Sequence, residues 1–114
     1  MKDENHLHIL WTNADLHTAQ FMVMMYATNA MLYHWWENVT VIVWGATAKL
    51  VSENADIQQS VKMAMQAGVQ FSACVSCAVQ LGVKQELKNL GMEVIPWGEP
   101  LTRLLKEGGH LLTV

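Results

Sequence analysis

The chain has 114 residues, enough for one domain with its own hydrophobic core and too few for two. Its net charge is −3 and its seven Lys and Arg are set singly, so the basic stripe that nucleic-acid binding needs is missing, as is a polybasic membrane signal. Apolar residues make up 52% and charged residues only 15%, against about a quarter charged in an ordinary domain; the apolar surplus implies that a second copy covers part of the surface.

Residues 1–114 read as a single domain, with 1–5 a disordered or polar N-terminal extension. Met1 to His6 carries no apolar signal core, and the expected location is the cytoplasm. Leu7 to Thr12 reads as the first strand, centred on Ile9, Leu10 and Trp11. Asp15 caps a following helix that runs to about Trp36. Phe21 to Tyr26 is apolar on every side of that helix, so one face meets the sheet and another meets a partner. The stretch from Phe21 to Trp36 is too short and, with Thr28, Asn29 and His34, too polar to span a membrane.

Val39 to Trp44 is a β-branched run suited to a central parallel strand, ended by Gly45. Gly45-Ala46-Thr47-Ala48 reads as a small-residue loop, and Asp56 as the cap of a helix with Ile57, Val61, Ala64 and Met65 on one stripe. Gly68 stops that helix. Val69 to Ala73 is the third strand and leads directly into Cys74-Val75-Ser76-Cys77. After Gly82, a helix marked by Val83, Leu87 and Leu90 ends at Gly91. Met92 to Ile95 is the fourth strand, and Pro100 opens a short helix carrying Leu101, Leu104 and Leu105. His110 to Val114 is the last strand. The alternation predicts an α/β protein: a three-layer α/β/α sandwich on a mostly parallel five-stranded sheet.

In such sheets functional groups gather beyond the carboxyl ends of the strands, and Cys74 falls there, at the step from strand three into a helical turn. Free backbone N–H groups at that step favour a thiolate, the nucleophilic form. Cys77, three residues on, is either a resolving thiol or a packed small hydrophobe. One CxxC without a second pair is weak support for zinc, and no metal or cofactor is expected. His17, in the turn after strand one, is the candidate general base. Thr12, Asn13, Gly45 and Ala46 lie at the same end, where a substrate or partner approaches. His6 and His8 alternate on strand one and point two polar groups to one side.

The ordered set Trp44-Gly45-Ala46, Gly68-Val69, Ala73-Cys74, Gly82-Val83, Leu90-Gly91 and Leu101-Thr102 resembles the DsrE/DsrF-like family over about Leu7 to Val114. The resemblance implies a five-stranded, mostly parallel sheet and assembly into trimers or hexamers. It also implies a sulfur-relay role, in which a cysteine at the position of Cys74 accepts sulfur from a donor protein as a persulfide and passes it to an acceptor. Two other readings stay open: a non-enzymatic oligomeric binding or regulatory module built on the Met- and Trp-rich helix, and dithiol redox chemistry of the Cys74–Cys77 pair.

Overall fold

The computed structural model describes residues 3–114, and Met1 and Lys2 lie outside it. Five apolar runs become strands: β1 (His6–Trp11), β2 (Asn38–Val43), β3 (Gln70–Cys74), β4 (Glu93–Ile95) and β5 (His110–Thr113). All pairs are parallel, in the order β4-β3-β2-β1-β5, so the sheet is wholly rather than mostly parallel. Within the polar extension, Asp3 is tied to the strand start: its carbonyl accepts from the His6 N–H and its Oδ1 from the Asn5 N–H.

The order dictates the layers. From β1 to β4 the chain steps three times in one direction, and right-handed crossovers place those connecting helices on one face of the sheet. They are α1 (Leu16–Thr18), a π-helical stretch (Ala19–Met24) and α2 (Met25–Leu32), then α3 (Ala46–Glu53) and α4 (Ala55–Gln66), then α5 (Val75–Gln80) and α6 (Lys84–Asn89). The step from β4 back past β1 to β5 reverses direction, which sends α7 (Gly98–Lys106) to the other face. The sandwich therefore has a full helical layer and a thin one. Ile9, Val41, Phe71 and Ala73 face the full layer and form the core with Val23, Ala27, Val51, Ile57 and Val61.

Local chemistry accounts for most boundaries. The Asp15 carboxylate accepts from both the backbone N–H and the hydroxyl of Thr18 at 2.9 Å, the expected cap. The first helix stops at Leu32, short of Trp36, because His34 takes a left-handed φ of 58°. Its N–H bonds the Met31 carbonyl, and that of Trp35 bonds Ala30, the hydrogen-bond pattern of a glycine-type helix stop. Gly68, at φ 107°, ends α4 as the sequence predicts.

Three expectations are corrected. Ala46 to Ala48 is not loop but the first turn of α3, whose buried face carries Thr47, Ala48 and Val51. The cap of α4 is Asn54 rather than Asp56; its Oδ1 accepts from the Ile57 N–H at 3.0 Å. Helix α7 opens at Gly98, making Pro100 its third residue, still within the turn whose N–H groups need no partner inside the helix.

Candidate functional site

The switch point of the sheet lies between β1 and β5, where the expected ligand crevice would open. Here the chain itself closes it. The N–H groups of Thr12 and Asn13 both bond the Val114 carbonyl, at 2.8 and 3.3 Å, and the Thr12 hydroxyl reaches the same oxygen at 3.1 Å. Trp11 seals the inner side, fully buried, with its indole N–H on the Asn13 carbonyl. Thr12 and Asn13 thus hold the C-terminal strand in place.

The opening instead lies beyond β2 and β3. Gly45, at φ 72° and ψ −129°, turns the chain from β2 into α3 in a conformation a side chain rarely adopts. Thr47 fixes the first turn of α3: its buried hydroxyl donates to the Trp11 carbonyl at 2.8 Å and lies 3.2 Å from the Trp44 N–H. On the adjacent strand, Cys74 is the last residue of β3 and stands just before α5. Its side chain makes no cap bond, and α5 has only six residues over which peptide dipoles can sum.

The two cysteines are free thiols close enough to hydrogen-bond, and they differ in access. Cys74 is 6% exposed. Cys77 is partly exposed and lines a cleft of about 430 Å3 with Gly45, Ala46, Lys49, Gln80 and Leu81. Burial pushes the Cys77 thiol up; the Gly45 N–H pulls it back, and the bond to Cys74 raises it again. The net effect disfavours the Cys77 thiolate.

The structure brings Cys74, Cys77, Gly45 and Ala46 together and adds Lys49, which sequence reasoning missed along with α3. The signal was there: Ala48 and Val51 form an i, i+3 apolar pair that places Lys49 on the outer side. His17 stands apart from this group. It is exposed, stacks on Phe21 at 6.0 Å between ring centres, and has its charge neighbour in Asp15.

A second polar assembly occupies the sheet face that α7 covers only in part. His6 and His8 stack at 4.1 Å, and His6 Nε2 lies 2.8 Å from the Thr40 hydroxyl. Desolvation and the neighbouring His6 bring the pKa of His8 down to about 4. Among the described residues no group of three or more His, Cys, Asp or Glu is placed to hold a metal ion, and no helix is long and apolar enough to cross a membrane.

Comparison with known proteins supplies the lineage. No curated protein matches the chain. The solved structure of a conserved protein of unknown function from Bacteroides thetaiotaomicron is 36% identical with a TM-score of 0.96, covering 100% of this chain and 98% of that one. The ychN protein from E. coli shares the fold at 14% identity and a TM-score of 0.67, over 96% of this chain and 99% of that one. The DsrE/DsrF-like family model matches residues 7–114, nearly the whole length, and the chain belongs to that family.

Proposed function

We propose that the protein is a cytoplasmic sulfur-relay protein that carries sulfur as a persulfide on Cys74. The observation that carries this reading is the Cys74–Cys77 pair at the carboxyl edge of the parallel sheet, with one thiol lining a cleft and the other buried beside it. Family membership supports it, since the DsrE/DsrF-like family is associated with sulfur relay.

Attack is assigned to the residue that matches the family's acceptor position at the end of β3, Cys74. Its thiolate takes the outer sulfur of a donor persulfide, R–S–SH: the donor S–S bond breaks, a Cys74–S–SH forms, and the donor leaves as a thiol with the displaced proton. Delivery to an acceptor thiol is the same exchange in reverse, so no external oxidant or reductant is consumed. Cys77 lines the cleft, and the donor reaches the buried Cys74 through a local rearrangement there. When no acceptor arrives, Cys77 attacks the inner sulfur, giving a Cys74–Cys77 disulfide and releasing hydrosulfide. The Lys49 ammonium on the cleft rim favours a donor or acceptor segment that is acidic.

Transfer of labelled sulfur from a persulfide donor tests this. Cys74→Ser abolishes uptake, while Cys77→Ser retains it and prolongs the life of the loaded form. Wild-type uptake by Cys74→Ser defeats the proposal.

A second reading is favoured by a separate observation. Phe21 and Tyr33 are each 65% exposed, and Leu16, Met25, Trp35 and Met63 are also open on the helical layer. We propose that copies of the chain assemble through this face, as a trimer or hexamer, and an oligomeric binding module would need nothing more. Cys74 burial suits that reading, which predicts intact assembly and no sulfur uptake in either cysteine background.

A further inference from the structure

From the polar groove on the β2–β4 part of the thinly covered sheet face, we infer a second ligand site, separate from the thiols, that binds a small organic ammonium compound. The groove measures about 610 Å3. Parallel sheets are ordinarily apolar on both faces because helices cover both. Here alternate residues of four strands turn polar groups to one side, and α7 leaves the β2–β4 part open.

Two hydrogen-bond relays run across the strands and both end at the groove. In the first, the Thr40 hydroxyl donates to Gln70 Oε1 at 3.1 Å, so its oxygen is left to accept from His6 Nε2 at 2.8 Å. In the second, the Trp97 indole N–H donates to the Ser72 oxygen at 2.7 Å, and the Ser72 hydroxyl donates to Glu93 Oε1 at 3.0 Å. Each hydroxyl has its one proton committed, which fixes the direction of both chains. They hold Gln70 and Glu93, otherwise exposed, in set positions on the rim.

The lining also contains His8, whose Nδ1 is buried without a hydrogen-bond partner. The ring is neutral near pH 7 and adds no charge to the groove. Glu93 is the charged group of the lining, which among the described residues includes no Lys or Arg. An anion would meet the carboxylate with nothing to offset it. An ammonium group pairs with Glu93, and Met65 and Ile95 provide apolar surface for the body that carries it.

The test is a titration of the full-length 15N-labelled protein with benzylamine, benzyl alcohol and phenylacetate, three probes of similar shape that differ in charge. The Trp97 indole N–H and the Gln70 side-chain amide are the reporters. Saturable shifts at both with benzylamine, and at neither with phenylacetate, are expected; benzyl alcohol binds at least about tenfold more weakly. Glu93→Gln keeps an acceptor for Ser72 on an exposed residue and lowers benzylamine affinity by about tenfold.

Equal responses to the three probes, or an affinity unchanged by Glu93→Gln, overturn the assignment. So does the absence of any shift, which would mean that a second copy of the chain or nothing at all occupies the groove. The outcome is independent of sulfur transfer, because neither cysteine lines this site.

Discussion

Acidification below neutrality should destabilise the protein through His8. The folded chain holds this ring neutral down to about pH 4, whereas an ordinary imidazole protonates near 6.5. Between those values the unfolded state binds the extra proton, so stability is lost as the pH falls through this window and the loss levels off below about 4. At about 1.36 kcal/mol per pH unit the gap sets a ceiling of about 3.4 kcal/mol. Partial solvent access to the ring reduces that to about 2 kcal/mol. His6, stacked at 4.1 Å, is also shifted down by burial, with Asp3 opposing, and adds a smaller effect of the same sign. His8→Phe keeps a ring at the position and removes its titration. Urea unfolding of both proteins from about pH 7 to pH 4 isolates the contribution. The variant should gain about 2 kcal/mol on the wild type over that range. A difference that stays flat with pH would refute the reasoning.

Cys77 should alkylate ahead of Cys74, at a rate still climbing beyond the ordinary thiol value of 9.0 because burial opposes the thiolate; peptide mass spectrometry of time points reads both thiols. Thr47→Val leaves the Trp11 carbonyl only its 3.3 Å bond from the Trp44 N–H and should cost about 1 kcal/mol in urea unfolding. His34→Gly removes the left-handed penalty at φ 58° and, after the entropy glycine adds to the unfolded chain, should stabilise by about 0.5–1 kcal/mol. Met25→Asp, on a side chain 49% exposed, should lower the mass seen by light scattering while leaving far-UV circular dichroism unchanged.

The fold was legible wherever one residue type leaves few choices. The Val39–Val43 run admits little besides a buried parallel strand, and it became β2. Asp15 and Gly68 carry their own hydrogen-bonding and backbone reasons and stand where expected. Helix α3 escaped because Gly45-Ala46-Thr47-Ala48 has the look of a turn. What makes it helical is tertiary: Thr47 bonding the end of β1 and Ala48 and Val51 packing into the core. Missing α3 meant missing Lys49 and the cleft wall. Cys74 was legible from its place at a strand end, yet its burial beside Cys77 was not, since access depends on how α3 and α5 meet.

The polar groove marks a deeper limit. In the sequence only His6 and His8 stand out as polar groups on one side of a strand, while Thr40, Gln70, Ser72 and Glu93 are spread over three other strands. A relay exists only because the parallel register sets Thr40 beside Gln70 and Ser72 beside Glu93. A one-residue slip of β3 would turn Gln70 and Ser72 into the core and bring Phe71 and Ala73 out. The apolar packing of Ile9, Val41 and Phe71 against the helices forbids that slip. The hydrophobic side of the sheet thus fixes the alignment of the polar side, and the second site follows from the core rather than from any local motif.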